Sequence, residues 1–408
     1  MLVDARHREK GKWSYGAFAA TNDQDSEHSN RKWKVALAQA GFILDHAEQV
    51  AGARWQEERR STDNPWALQR GPERGLGTAA CLVQLLASCH TDSVTAVERS
   101  DISRWEVYED EPQGKHVKKW LFNPQESGSS HWLFKPVRVN PGTGPTAEDF
   151  AEVFATRIAR ALGIPAARTE LVTYKGKAGT ISENIRPKDY ILTAGGTWLD
   201  LGFPYAARSA AKIAGTHRAR VLPGYGYAHL ASSLHAVGTP PSWDGSPEVD
   251  GYTLFSGYLL LDAIIANTDR HDSNWAILQP AVAKEGSCDR LAPSFDHGSS
   301  LGQQLTDDQR LRILNGAADV DYLSWCSKGK ASSFDHGPNP TPTLVDYFLA
   351  ASRLAQQDQI NRWLAQLNSV LSSDALDEIL DDYPSMSVVT RKFMRAVVRT
   401  NVRRVLNG

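Results

Sequence analysis

The sequence predicts an α+β protein in which a strand-rich segment precedes a longer, mostly helical one. Short apolar runs bounded by turn residues concentrate between residues 115 and 185, a pattern typical of strands. From residue 306 onward, apolar residues recur at helical spacing, which predicts helices at residues 306–315, 343–356, 358–371 and 388–406. Between these two parts, residues 258–278 join an apolar helix to a short apolar strand through an almost entirely polar loop. Such a loop, fixed at both ends by buried structure, is typical of segments that carry chemistry.

The composition of the 408 residues is that of an ordinary soluble globular protein, with 41% apolar and 23% charged residues. A net charge of −2 gives no overall attraction to nucleic acid or to an anionic membrane. No apolar run reaches membrane-spanning length, and the charged N-terminus does not resemble a signal peptide. The four cysteines form no CxxC pair, which argues against a zinc site. We therefore expect a cytoplasmic protein that binds neither membranes nor nucleic acid directly.

Residues 1–102 are expected to form a mostly helical N-terminal extension. Residues 31–60 and 78–88 show helical spacing, and a segment rich in proline and glycine separates them. This extension contains no motif with identifiable chemistry. We place the strand-rich part at residues 103–185 and the helical part at residues 186–408. The helical part is expected to include an Ala-rich helical piece near residues 206–215.

Two strands are expected at residues 118–122 and 131–136, joined by a flexible turn. Lys135 lies at the end of the second strand. A small, mobile loop followed by a lysine on a strand suits the binding of nucleotide phosphates, although an edge lysine with an exposed amine is the alternative. The loop residues assigned to this role are Ser127, Gly128, Ser129 and Ser130.

The next helix is predicted to begin after Thr146, which can cap it, and to stop at Gly163. Glu152 lies in the middle of this helix. We expect it to form an ion pair with Lys135 and so to position the lysine on the nucleotide, with Glu148 as the competing acid.

A hairpin is predicted next, with strands at residues 168–174 and 178–183 joined by a Lys-Gly-Lys turn. Its second strand ends in Ser182, Glu183 and Asn184. We interpret these three residues as a hinge whose backbone binds the edge of adenine.

The polar loop supplies the groups that phosphoryl transfer requires. Asp269 can orient an attacking hydroxyl, and Asn274 follows five residues later. Asp296 begins an Asp-His-Gly turn beyond two predicted strands, at residues 275–279 and 290–295. Asn274 and Asp296 offer the hard oxygen ligands that magnesium prefers. Asp and Asn are also turn formers, but their order and spacing indicate a base at Asp269 and metal ligands at Asn274 and Asp296.

Together these motifs resemble the HipA-like serine/threonine kinases over residues 103–408. The segments that carry the resemblance are residues 134–136, the Glu152 helix with residues 161–165, residues 181–184, residues 267–275 and residues 293–302. The resemblance implies a two-lobed protein-kinase-like fold, with a small β-rich N-lobe and a larger helical C-lobe. It implies that the protein uses ATP and magnesium to phosphorylate serine or threonine of a protein. It also adds Arg270 and His271 to the catalytic group of Asp269 and Lys135.

The resemblance has further implications for partners and regulation. Several members are toxins held by a DNA-binding antitoxin, so an antitoxin-like partner is one expectation. However, the first hundred residues do not resemble the β-rich N-terminal subdomain of the founding toxin. Some members autophosphorylate in the nucleotide loop, which implies Ser127, Ser129 or Ser130 as acceptors. Ser299 and Ser300 are competing acceptor sites.

Two other functions remain open. The Asp-Arg-His-x-x-Asn form of the loop also occurs in phosphoinositide 3-/4-kinases, so a kinase of a lipid or small molecule is one alternative. The other is a non-catalytic pseudokinase that serves as a scaffold. The presence of every base and metal residue argues against a scaffold, and the absence of basic loops near the site argues against a lipid substrate.

Overall fold

A six-stranded sheet followed by a mainly helical region forms the described part of the protein. In this computed structural model it comprises residues 99–111, 118–125, 131–202, 221–282, 286–316, 321–381, 383 and 385–408, which all belong to one compact unit. The strands are β1 Ser100–Asp101, β2 Glu106–Glu111, β3 Lys118–Phe122, β4 Trp132–Pro136, β5 Val139–Asn140, β6 Gly144–Pro145, β7 Thr169–Tyr174, β8 Lys177–Glu183, β9 Tyr190–Ala194, β10 Ala276–Pro280 and β11 Arg290–Leu291. The helices are α1 Glu148–Ala161, α2 Gly195–Gly202, α3 Tyr227–Leu234, α4 Gly251–Ile265, α5 Asp307–Leu314, α6 Tyr322–Ser327, α7 Leu344–Ser352, α8 Gln357–Val370, α9 Ser373–Asp381 and α10 Val388–Leu406. The α+β prediction is thus confirmed as a mixed structure of one large sheet and several helices.

The large sheet has the strand order β1-β7-β8-β4-β3-β2. Its pairs are antiparallel except for the parallel pair of β1 with β7. Side chains alternate between the two faces of a strand, so Phe134 and Lys135 point to opposite sides of β4. Phe134 is buried with Leu121, Val172 and Ile181 on one face. Lys135 therefore projects from the other face, where α1 packs on β7 and β8.

Local sequence explains the tight turn between β7 and β8. The turn between β7 and β8 places Lys175 and Gly176 at φ 48° and 75°. Positive φ values at both positions give a tight hairpin turn whose twist matches that of its strands.

The prediction that Thr146 caps α1 is wrong. The cap position is Ala147, whose side chain cannot accept a hydrogen bond, and the Ala147 backbone N–H donates to the carbonyl of Gln303. The Thr146 side chain is buried instead.

The helical region is built around α4, whose fifteen residues are all buried. Asp250 caps its first turn by accepting a hydrogen bond from the Thr253 backbone N–H at 2.7 Å. The helix ends where Ala266 adopts a left-handed conformation, at φ 55°. Helices α1, α3, α7, α8 and α10 pack around it. A helix that is apolar on all sides is expected at such a central position.

The remaining predicted elements match the structure closely, and the missed ones are short. Strands β10 and β11 form an antiparallel pair, although β11 covers only Arg290–Leu291 of the predicted residues 290–295, and β9 adds a third strand that was not predicted. The helices predicted at residues 306–315, 343–356, 358–371 and 388–406 correspond to α5, α7, α8 and α10. The missed helices α2, α3, α6 and α9 have at most nine residues, which is too short for a clear period.

Several predictions lie outside the described residues. They are the helices at 31–60 and 78–88, the loop containing Ser127, Gly128, Ser129 and Ser130, and a helical piece near 206–215. The domain boundaries stay predictions, although β1 at Ser100–Asp101 already belongs to the large sheet. Among the described residues, no helix combines the length and apolar character needed to cross a membrane.

The start of α2 generates a test of packing. A Cβ atom on Gly195 would lie 2.1 Å from the ring of Trp275, which is buried. We expect Gly195→Ala to lower the free energy of unfolding by about 1–3 kcal/mol, because the ring has no space to move aside. Chemical denaturation measures the change. Thr197→Ala in the same helix is the matched control, since Thr197 is exposed, and an equal effect of both substitutions would contradict the steric explanation.

Candidate active site

The polar loop after α4 is held by a buried ion pair between Arg270 and Asp262. The Arg270 side chain donates from Nε to one carboxylate oxygen of Asp262 and from a terminal nitrogen to the other, each at 2.8 Å. The two side chains are 1% and 2% exposed. Burial opposes the charge of Arg270, but Asp262 more than compensates and raises the arginine pKa. The remaining terminal nitrogen donates to the Asn274 carbonyl at 2.8 Å, which closes the loop.

The guanidinium of Arg270 is buried against Asp262 and holds the loop in place. The catalytic role predicted for Arg270 stays a prediction. Asp262 is a residue of the candidate site that the sequence analysis missed. The signal that could have revealed it is a carboxylate inside an apolar helix, because a buried charge requires a partner.

Asp269 is the exposed acid of the loop, with a side chain 45% exposed. Its backbone is fixed on both sides: its N–H donates to Asn267 Oδ1 at 3.1 Å, and its carbonyl accepts from Asn274 Nδ2 at 2.7 Å. Asn267 is itself anchored to Asp262 at 2.8 Å. The loop therefore presents the Asp269 carboxylate outward, and the Asn274 amide is oriented so that its Oδ1 is the atom available for a ligand.

His271 lies beside Asp269 but does not make a short contact with it. Its Nε2 is 4.0 Å from Asp269 Oδ1, while its Nδ1 accepts the Ser273 backbone N–H at 3.2 Å. An accepting Nδ1 places the proton of the neutral ring on Nε2, facing Asp269. The catalytic role predicted for His271 stays a prediction.

A cluster of charges joins the sheet to the Asp-His-Gly turn. Lys135 Nζ lies 2.6 Å from Glu148 Oε1 and 3.1 Å from Asp296 Oδ1. Lys118 Nζ is 4.0 Å from the other oxygen of Asp296. Burial disfavours the ionised form of Asp296, but Lys135 and then Lys118 hold its pKa well below the ordinary value. Burial likewise opposes the charge of Lys135, and the surrounding carboxylates overcome it and raise the lysine pKa.

The predicted ion pair between Lys135 and Glu152 is wrong in its partner, since Glu148 makes the direct contact. Glu148 and Glu152 are one helical turn apart on the same face, so that the sequence alone does not distinguish them. Glu152 Oε1 is instead 3.4 Å from His297 Nδ1. Burial opposes ionisation of Glu152, but His297 dominates and lowers its pKa. Lys118, which the sequence analysis did not single out, is the other new member of the cluster.

The Asp-His-Gly turn fits closely against α1. Asp296 adopts a left-handed conformation at φ 58°. His297 is fully buried, and its Nε2 lies 2.7 Å from Ser294 Oγ. A Cβ on Gly298 would lie 2.8 Å from Glu148 Cγ. Only glycine therefore allows the turn to approach the helix so closely.

The segment after this turn returns to Asp269. Ser299 is exposed, and its Oγ donates to Asp269 Oδ2 at 3.3 Å. Leu301 is fully buried, and its backbone N–H donates to the Ile265 carbonyl at the end of α4, at 2.9 Å. Asp269, Asn274 and the Asp296 turn are thus brought to one region of the protein.

The predicted hinge is only partly suitable for binding adenine. The Glu183 N–H donates to the Arg168 carbonyl at 2.8 Å, and the Asn184 N–H donates to the His131 carbonyl at 3.1 Å. Ser182 lies between two strands, opposite Leu133 on one side and Thr169 on the other. The N–H groups of Glu183 and Asn184 are therefore already used within the protein, and the role of the hinge backbone in binding adenine stays a prediction. The next amide along the chain, that of Ile185, has no hydrogen bond to other described residues.

The donors fit magnesium by their chemistry. Asp296 is a carboxylate with a lowered pKa, and Asn274 provides an amide oxygen, both of which are hard ligands. Among the described residues, no group of three or more His, Cys, Asp or Glu side chains forms a metal centre. A site with one carboxylate and one amide ligand suits an ion that keeps waters and binds substrate phosphates.

Comparisons with known proteins agree with the motifs. The model of the HipA-like C-terminal domain family matches residues 108–367. Serine/threonine-protein kinase CtkA of Helicobacter pylori strain J99 is 24% identical over 144 residues, which are 35% of this chain and 42% of CtkA. The chain thus spans about two fifths of the length of that curated relative.

Two solved structures align with this chain to different degrees. A crystal structure of the Helicobacter pylori proinflammatory kinase CtkA aligns with a TM-score of 0.50 at 17% identity, over 76% of this chain and 96% of that one. HipA from the Shewanella oneidensis MR-1 complex of HipA, HipB and operator DNA aligns with a TM-score of 0.42 at 12% identity, over 81% and 73% of the two chains. The CtkA alignment indicates a shared fold.

The buried pair generates a stability prediction. We expect Asp262→Asn to lower the free energy of unfolding by about 3 kcal/mol, because it leaves the buried Arg270 charge without a counterion. Denaturant titration measures this loss. In the double variant Asp262→Leu with Arg270→Met both charges are gone, so it should be more stable than the single variant. Asp269→Asn in the same loop is the control and should change stability by less than about 0.5 kcal/mol; equal losses for Asp262→Asn and the control would refute the role of the pair.

Proposed function

Because this chain belongs to the HipA-like C-terminal domain family, we propose that it is an ATP- and magnesium-dependent protein serine/threonine kinase with a two-lobed kinase-like fold. The resemblance inferred from the motifs is confirmed at the level of the family. The observation that carries the proposal is the contact of Lys135, from the sheet, with Asp296, from the helical region, at 3.1 Å. Phosphoryl transfer depends on positioning and charge stabilisation, and this contact joins a phosphate-binding cation to a metal-binding carboxylate.

The sheet would supply the nucleotide site. Lys135 would bind phosphate oxygens, with Glu148 holding its amine and Lys118 adding a second cation nearby. The loop containing Ser127, Gly128, Ser129 and Ser130 would cover the phosphates, as the sequence analysis expected. The Ile185 N–H is the donor we propose for the adenine edge, since it lies two residues beyond the end of β8 and donates no backbone hydrogen bond to other described residues.

The helical region would supply the acceptor site. Asp296 and Asn274 would hold magnesium, which when bound neutralises charge on the phosphates. Asp269 would accept the proton of the attacking hydroxyl. A general base must lie within hydrogen-bond distance of the hydroxyl that it deprotonates. The half-exposed carboxylate of Asp269 is accessible to a hydroxyl of another molecule.

The alternatives differ in the acceptor. A lipid or small-molecule kinase would use the same base and metal ligands, and a pseudokinase scaffold would use none of them. A protein acceptor is favoured because CtkA, the sequence relative, is a serine/threonine-protein kinase. An antitoxin-like partner is a further part of the proposal, since the Shewanella HipA structure contains HipB.

The test is incubation with labelled ATP, magnesium and a cell lysate. We expect labelled protein bands with the wild-type chain and a loss of about 10²–10⁴-fold with Asp269→Asn, because the variant lacks the base. Asp308→Asn, an exposed acid on α5, is the matched control and should retain full activity. Label found only in a lipid or small-molecule fraction would favour the alternative acceptors, and no transfer to any acceptor would refute the kinase proposal.

Substitutions of the two glutamates of α1 are expected to differ in their effect on ATP kinetics. Glu148→Gln removes the direct ion pair with Lys135, so we expect kcat/KM for ATP to fall about tenfold or more through loss of positioning. Glu152→Gln leaves that pair intact and should have a smaller effect on kcat/KM for ATP. Steady-state kinetics at varied ATP concentration measures both variants. The opposite ranking would restore Glu152 as the partner of Lys135 in the working protein.

A further inference from the structure

The hydroxyl of Ser299 occupies a position that an acceptor hydroxyl would take. Its Oγ donates to Asp269 Oδ2 at 3.3 Å, and the residue is exposed. A nucleophile within hydrogen-bond reach of its base is the arrangement that activates a hydroxyl. We propose that Ser299 is a phosphorylation site that the protein modifies in cis. This inference rests on the proposed kinase function.

The position of Ser299 is fixed by its neighbours on both sides. Gly298 has no room for a side chain because Glu148 of α1 is too close. Leu301 is fully buried and is tied by its backbone to the Ile265 carbonyl at 2.9 Å. The segment between these anchors spans only Ser299 and Ser300. The hydroxyl is therefore preorganised beside the base, which favours an intramolecular reaction over one with a free acceptor.

The adjacent serine provides a contrast. Ser300 is 2% exposed, and its Oγ is buried without a hydrogen-bond partner. It does not contact Asp269 in this structure. Two serines in one segment thus differ in access and in contact with the base, and only Ser299 meets both requirements.

The step balances as an ordinary phosphoryl transfer from ATP. The Ser299 Oγ forms a bond to the γ-phosphorus, and the bond from that phosphorus to the β-phosphate oxygen breaks. ADP leaves, and the hydroxyl proton passes to Asp269. No other reactant is required.

Phosphorylation of Ser299 would limit further activity. A phosphate group adds roughly −1.5 to −2 charge at neutral pH. It would lie beside Asp269 and three residues from Asp296, so that it would repel the phosphates of the next ATP. It would also occupy the space beside the base that an acceptor hydroxyl needs. Progressive self-inactivation during incubation with ATP is the expected consequence.

The experiment incubates the full chain with ATP and magnesium, followed by intact mass and peptide mapping. We expect one added phosphate on Ser299 in the wild type and in Ser300→Ala, and none at this position in Ser299→Ala or Asp269→Asn. For a reaction in cis, the fraction modified per minute stays constant over a hundredfold dilution of the protein. A rate proportional to protein concentration would overturn the cis assignment.

Transfer to lysate proteins is measured in parallel. Labelled lysate proteins with an unmodified Ser299 would overturn this inference and leave the kinase function standing. Phosphate found only on Ser127, Ser129 or Ser130, or on Ser300, would also overturn it. Absence of transfer to lysate proteins and to the chain itself would refute both the kinase function and the inference.

Discussion

The buried pair of Asp262 and Arg270 is the interaction on which the candidate site depends. Two charges removed from water are stable together only when each satisfies the other, and here the carboxylate accepts two hydrogen bonds at 2.8 Å. Asp262 also anchors Asn267, and Arg270 also binds the Asn274 carbonyl. These hydrogen bonds fix the backbone of the loop to α4, whose residues are all buried. These neighbours make the hydrogen bonds on the buried side of the loop, and the Asp269 carboxylate faces the solvent.

A second constraint comes from α1, which touches the site through two acids. Glu148 holds Lys135, while Glu152 faces the buried His297 of the Asp-His-Gly turn. Gly298 allows this turn to lie against the same helix face. The orientation of Asp296 therefore depends on α1 as well as on its own left-handed backbone. A shift of α1 along its axis would disturb both Lys135 and the carboxylate of Asp296.

Periodicity and turn chemistry were sufficient to predict much of this structure from the sequence. The apolar run of α4, the hairpin of β7 and β8 and the long helix α10 each follow from local pattern. The partner of Lys135 could not be predicted, because Glu148 and Glu152 share one helix face and only the docking of α1 decides between them. The hydrogen bonds of the Glu183 and Asn184 amides could not be predicted either, because the pairing of the strands brings the accepting carbonyls of Arg168 and His131 to them. The burial of Arg270 could not be inferred from a loop that is polar in sequence.

The residues of the site fall into two groups according to what holds them. Asp269 and Ser299 are both tied to α4, through Arg270 in one case and through Leu301 in the other. Lys135 and Glu148 belong instead to the sheet and to α1. Asp296 connects the groups, because it follows β11 in the chain yet pairs with Lys135. A movement of the sheet relative to α4 would change the contact of Lys135 with Asp296. The position of Asp269 is set by the helical region alone, whereas Ser299 also depends on the close approach of Gly298 to Glu148 of α1. The charge cluster of Lys135, Glu148 and Asp296 requires both parts to meet.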